Sequence, residues 1–133
     1  MQCIVDTHTL LWSIIDSSRI SQYAAQQIKN PENEIFVSTI SFWEVSLKSS
    51  IGKIEIEGFR PEELPLLVKK QDFTIIYPNE TETATFHLLP IKTKHKDPFD
   101  RFLIWQSISR STAMISCDRD FHQYEDDGLK LIW

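Results

Sequence analysis

The feature that most constrains the fold is a set of short apolar, β-prone runs separated by longer stretches with helical periodicity. The runs are QCIV at Gln2–Val5, EIFV at Glu34–Val37, FTIIY at Phe73–Tyr77, AMIS at Ala113–Ser116 and LKLI at Leu129–Ile132. Between them the spacing predicts helices over Thr9–Ile15, Ser21–Lys29, Ser38–Ser50, Pro61–Lys70, Thr81–Leu89 and from Asp97 to about Arg110, with a short helical turn at Arg119–Tyr124. Pro31, Gly52 and Pro78 stand where elements should stop. Short strands exchanged with longer helices imply a mostly parallel sheet of four or five strands covered on both faces. In such a sheet, ligands collect beyond the carboxyl ends of the strands.

At 133 residues the chain is most simply one domain over 1–133, long enough for a packed core. Its net charge of −5 gives a whole-molecule field that repels nucleic acid, so a polyanion partner needs a local cause. Lys92, Lys94, His95 and Lys96 form the concentrated basic run, with Arg101 and Arg110 following at helical spacing; a solvated loop of lysines is the plain alternative. The cysteines, Cys3 and Cys117, lie in or beside apolar runs and fit buried free thiols of a reducing, cytoplasmic compartment. A strand-like start and the absence of a long apolar run argue against secretion and membrane insertion.

Five acidic residues fall at strand ends or in the first turns of the following helix: Asp6, Glu44, Asp97, Asp100 and Asp118. Each has a structural reading. Asp6 and Asp118 fit helix caps, Asp97, Pro98 and Asp100 fit N-cap, N1 and N3, and Glu44 follows Ser41 at capping-box spacing. Ser38 and Thr39 are better placed to start that helix, which puts Glu44 in its second turn among Phe42, Trp43 and Val45. Carboxylates brought together repel, so a cluster implies a counterion. Oxygen-only ligands favour Mg²⁺ or Mn²⁺ over structural zinc, and such ions work on phosphates.

IVDTHTLLW, SFWEVSLKSSIGKI, HKDPFDRFLI and MISCDRDF, in this order, resemble the marks of PIN-domain proteins, and within them of the VapC-type toxins of prokaryotic toxin–antitoxin pairs. The resemblance implies a three-layer α/β fold and a metal-dependent endoribonuclease site. Position by position, Asp6, Glu44, Asp100 and Asp118 match the four family acids, and Asp97 the extra aspartate of the HxDPFDR variety, as a further metal ligand. It also implies an RNA substrate (a tRNA, an rRNA loop or an mRNA), Mg²⁺ with Mn²⁺ as an alternative, a small cognate antitoxin and pairing of two toxin copies. Ser116 stands where many relatives have threonine, which keeps a hydroxyl near the acids.

Around this core of acids, Lys48 is one turn beyond Glu44 and suits an i,i+4 pair. Asp120 is a neighbour that could position the cluster. His8 is expected to shape the start of the first helix, and His95 could touch phosphate or base. Arg101 and the lysines before His95 are the stronger candidates for the RNA backbone, and Trp12, Trp43 and Trp105 read as core.

Rival readings fit less well. A haloacid-dehalogenase-like phosphatase needs a second aspartate two positions after the first, where this chain has His8. A receiver domain needs a phosphoacceptor aspartate at the third strand, where Tyr77 and Pro78 stand. A PIN-like interaction module without turnover keeps the same pattern and is separated only by experiment.

Overall fold

The computed structural model describes residues 1–92 and 94–133. Five strands form among them: β1 (Gln2–Val5), β2 (Glu34–Ser38), β3 (Thr74–Ile76), β4 (Ala113–Ile115) and β5 (Lys130–Ile132). They make one sheet in the order β3-β2-β1-β4-β5 with every pairing parallel. Cys3 is matched to Ile35 on one side and to Ala113 on the other. The chain therefore builds outward from β1 in one direction, then returns to add β4 and β5 on the other side.

Alternation along the strands feeds two cores. Cys3, Val5, Ile35, Val37, Ala113 and Ile115 point to one face, where α1 (Thr7–Ile15), α2 (Gln22–Lys29) and α4 (Leu64–Lys70) cover them with Leu10, Ala24 and Val68. Ile4, Phe36 and Met114 point to the other, against Leu103 and Ile104 of α6 (Pro98–Ser109) and Phe121 and Tyr124 of a 3₁₀ helix at Arg119–Asp127. Burying one such aliphatic side chain contributes about 1.5–3 kcal/mol, so double-faced burial is what fixes the apolar runs as central strands. The result is the expected three-layer α/β fold with a parallel sheet.

Several boundaries differ from the sequence reading for local reasons. The stretch from Pro61 opens as a 3₁₀ turn (Pro61–Glu63) before α4, because Pro65 has no N–H for the Pro61 carbonyl, which accepts from Leu64 instead. Thr81–Leu89 divides into α5 (Glu80–Thr85) and a 3₁₀ turn at Phe86–Leu88 ahead of Pro90. The turn expected at Arg119–Tyr124 runs on to Asp127 and ends at Gly128, whose φ of 106° suits glycine. Helix α3 (Thr39–Ser50) is followed by Gly52 at φ 72°, the stop that its position suggested. No helix among the described residues is long and apolar enough to cross a membrane.

Candidate metal centre

The acids are assembled by three neighbouring connections at the carboxyl end of the sheet. Asp6 follows β1 and caps α1, accepting from the Thr9 backbone N–H at 2.8 Å through Oδ1. Its other oxygen accepts from the Ser116 hydroxyl at 2.5 Å, across from the end of β4. Capping therefore describes only half of this carboxylate. Asp6 is 3% exposed; burial pushes its carboxyl above the usual range, against the hydrogen bonds of Ser116 and Thr9.

Helix α3 begins at Ser38, whose hydroxyl accepts from the Ile40 N–H at 3.2 Å. Ser41 instead accepts from the Thr7 hydroxyl at 3.0 Å, tying α3 to α1. Glu44 thus lies in the second turn, 2% exposed, with Lys48 paired to its Oε2. Its Oε1 is buried without a hydrogen-bond partner among the described residues.

Helix α6 begins at Asp97, whose Oδ1 accepts from the N–H groups of Phe99 and Asp100 at 2.9 and 3.0 Å, with Pro98 at N1. Its Oδ2 lies 3.5 Å from the Lys48 ammonium. Asp100, one turn into α6, reaches the same space.

The outcome is a cluster in which Glu44, Asp97 and Asp100 each offer an oxygen within 4.8 Å of the others. Burial and then the charges of Asp97, Glu44, Asp6 and Asp118 push the Asp100 carboxyl up to about 8. Lys48 is raised as well, which for a lysine favours the charged form. Burial works against its charge, but the hydrogen bond and charge of Glu44, with the charges of Asp97 and Asp100, hold the ammonium above the ordinary lysine range. A buried carboxylate oxygen with no donor among the described residues, beside two further carboxylates, is an arrangement a hard divalent cation satisfies. A hollow of about 400 Å³, lined by Thr7, His8, Glu44, Lys48, Lys53 and Asp97, gives access to the cluster.

The sequence profile described as PIN domain matches residues 3–127. The chain belongs to the PIN-domain family. Among solved structures, this PIN domain is similar to a chain of VapBC2 from Rickettsia felis bound to a promoter DNA fragment, at TM-score 0.69 and 15% identity, covering 99% of this chain and 98% of that one. It is likewise similar to VapBC-1 from nontypeable Haemophilus influenzae, at 0.68 and 17%, covering 99% and 97%. DNA-bound VapBC from Salmonella typhimurium follows at 0.65 and 12%, covering 99% and 97%. At these identities the likeness is one of fold. No curated protein matches the sequence.

Within the PIN domain the remaining candidates take varied places. Asp118 caps the 3₁₀ helix, accepting from the Asp120 N–H at 2.9 Å, and its own N–H donates to Ser116 Oγ at 3.1 Å. It and Asp6 stand outside the three-carboxylate cluster but contribute charge to Asp100. The Asp120 side chain is exposed. His8 is exposed at the mouth of the hollow, its ring 5.9 Å from that of Trp12.

Other expectations need correction. Arg101 donates to the Leu89 and Pro90 carbonyls at 3.0 and 3.2 Å and lies over the Phe86 ring, so it anchors a loop. Arg110 is nine residues further along α6, roughly 13 Å at 1.5 Å per residue, and grips Glu82 and the Tyr77 carbonyl. Lys92 pairs with Asp127 at 2.8 Å; only Lys94 and Lys96 of the basic run are exposed. His95 is buried rather than available to phosphate or base. Trp12 and Trp105 pack on the two cores, whereas Trp43 is 60% exposed and meets Phe99 edge-on at 5.0 Å. Cys3 is buried as expected; Cys117 is exposed, lying past the end of β4 in the short link to the 3₁₀ helix rather than in the sheet.

Two relationships had no clear sequence signal. The reach of Lys48 to Asp97 depends on how α3 and α6 pack. The contact of His95 with Asp100 and Tyr124 depends on the path of a loop.

Proposed function

We propose that this PIN domain, acting as one domain over residues 1–133, is a metal-dependent endoribonuclease of the VapC toxin type. The observation that carries the reading is the convergence of Glu44, Asp97 and Asp100 around a buried carboxylate oxygen without a donor. Those three hold Mg²⁺, or Mn²⁺ in its place, while Asp6 and Asp118 deepen the negative field around them. A bound ion would supply Lewis-acid stabilisation of phosphoryl charge and a more acidic water. Asp100 gives up the proton it carries at neutral pH when it becomes a ligand. Lys48, already on the cluster, is placed to move towards an entering phosphate.

In this reading water attacks phosphorus in line, the P–O3′ bond breaks, and the 3′ oxygen takes a proton. The products are a 5′-phosphate and a 3′-hydroxyl. The likeness to VapBC structures supports a toxin role beside a cognate antitoxin; the reading adds a small antitoxin over the acidic groove, a paired toxin, a cytoplasmic setting and, as substrate, a tRNA, an rRNA loop or an mRNA.

A second reading, a silent interaction module, draws on the same Lys48 contact, since a resident ammonium compensates the acids without an ion. One experiment separates the two. The purified chain, free of antitoxin, is incubated with total cellular RNA in Mg²⁺, in Mn²⁺ and in chelator, and the cut ends are mapped. Cleavage in either metal but not in chelator, with 5′-phosphate ends, supports the nuclease. No cleavage, or 2′,3′-cyclic phosphate ends, contradicts it.

A further inference from the structure

We infer that His95 is a positioning residue whose imidazole, oriented by the Tyr124 hydroxyl, holds the Asp100 carboxylate in place for a cation. The inference rests on the metal-site reading above and adds two residues to it. His95 sits in the loop before α6, yet is only 5% exposed, and both ring nitrogens have partners. Nδ1 lies 2.8 Å from the Tyr124 hydroxyl and Nε2 lies 3.4 Å from Asp100 Oδ2.

The chemistry of Asp100 decides which group donates across the Nε2 contact. An ionised Asp100, as a cation ligand must be, only accepts, so Nε2 carries the hydrogen. Nδ1 meets the Tyr124 hydroxyl, which can either donate to it or accept from it and so orients the ring in both cases. Without that hydrogen Nε2 would turn a lone pair towards a carboxylate. A hydrogen bond from a neighbouring group that fixes a ligand's orientation is worth about 10–100-fold in metal affinity.

The surroundings hold the ring as well as the bond. Phe121 and Tyr124 each meet the imidazole edge-on at 5.5 Å. Lys92 pairs with Asp127 and lies 5.5 Å from the Tyr124 ring centre, and Arg101 ties down the loop carbonyls at Leu89 and Pro90. His95 thereby joins Asp100 on α6 to the 3₁₀ helix that Asp118 caps. A histidine serving only as core filler has no need to direct Nε2 at an acid.

The test is calorimetric titration of the metal-free chain with Mn²⁺ at one fixed pH, with thermal midpoints measured alongside. His95→Phe keeps a ring without a donor, His95→Gln returns an N–H near the Nε2 position, and Tyr124→Phe removes the hydroxyl alone. The expected result is Mn²⁺ binding weakened about tenfold or more in His95→Phe, largely regained in His95→Gln, and weakened to a smaller extent in Tyr124→Phe. Parental affinity in folded His95→Phe, or equal weakening in the Phe and Gln variants, overturns the inference while leaving the metal site standing. Should His95→Phe fail to fold, unchanged affinity in Tyr124→Phe overturns it. A parent chain that binds no Mn²⁺ overturns the site and the inference together.

Discussion

The Lys48 ammonium stands 3.5 Å from the Asp97 carboxylate, forty-nine residues along the chain, while paired with Glu44 on its own helix. One positive charge therefore already compensates two members of the acidic cluster. A divalent ion entering the cluster must compete with it. Lys48→Met should bind Mn²⁺ several-fold more tightly than the parent and, without metal, melt at a lower temperature. Weaker binding in calorimetric titration would mean that Lys48 supports the ion rather than opposing it.

Asp100 makes the metal-free protein sensitive to pH in a defined direction. Its carboxyl is raised by burial and by Asp97, Glu44, Asp6 and Asp118 to about 8, from an ordinary 3.8. Between those values the folded chain holds a proton that the unfolded chain has released, so this group's contribution is fully present below about 3.8 and is lost as pH rises through 8. Asp100→Asn, which cannot ionise, should gain stability over the parent as pH rises from 5 to 8 in chelator. Denaturation midpoints at the two pH values check this; a constant difference between the proteins would refute it.

The Glu82–Arg110 pair is a structural counterpart away from the cluster. Burial pushes the Glu82 carboxyl up, but Arg110, the Asn79 N–H and Gln106 more than offset this and leave it below the ordinary range. Arg110 Nε donates at 2.5 Å and Nη2 at 3.2 Å. Removing the guanidinium leaves a buried acid short of donors, so Arg110→Ala should lose about 1.5–3 kcal/mol of stability with Mn²⁺ affinity unchanged. Because Glu82 is lowered, its stabilisation is present above the ordinary carboxylate range and fades in acid, as pH falls through its folded value. Chemical denaturation of parent and variant at neutral and acidic pH measures both effects.

The two thiols should differ in access and share a low reactivity. Cys3 is buried in the sheet and Cys117 is exposed. Burial pushes both thiols up, and the charges of Asp6 and Asp118 add to the shift at Cys117. Thiolate is the reacting form. Mass spectrometry after iodoacetamide treatment of the folded chain should find one adduct, on Cys117, forming slowly at pH 7 and faster at pH 9. An adduct on Cys3 under the same conditions would show that β1 opens.

The sheet was legible because its strands are buried on both sides, which forces short apolar runs such as IFV and AMI onto the sequence itself. Asp6, Glu44, Asp97 and Asp100 could be placed at strand ends and helix starts for the same reason. What one sequence does not carry is packing between distant elements. Asp97 looked chiefly like a cap, and it does cap, but its second oxygen faces α3. Arg101 and Arg110 looked like an extension of a basic patch, since spacing along a helix says nothing about Leu89, Pro90 or Glu82 waiting beside it. Trp43 looked like core because large aromatics usually bury, whereas it meets α6 only at its edge, through Phe99, and stays 60% exposed.

The most direct measurement is anomalous diffraction from a crystal of the chain soaked in Mn²⁺. The account predicts a peak bound by carboxylate oxygens of Glu44, Asp97 and Asp100, absent from crystals of Asp100→Asn. Density for Mn²⁺ only at other positions, with Lys48 still seated on Glu44 and Asp97 in a fully soaked crystal, would contradict it.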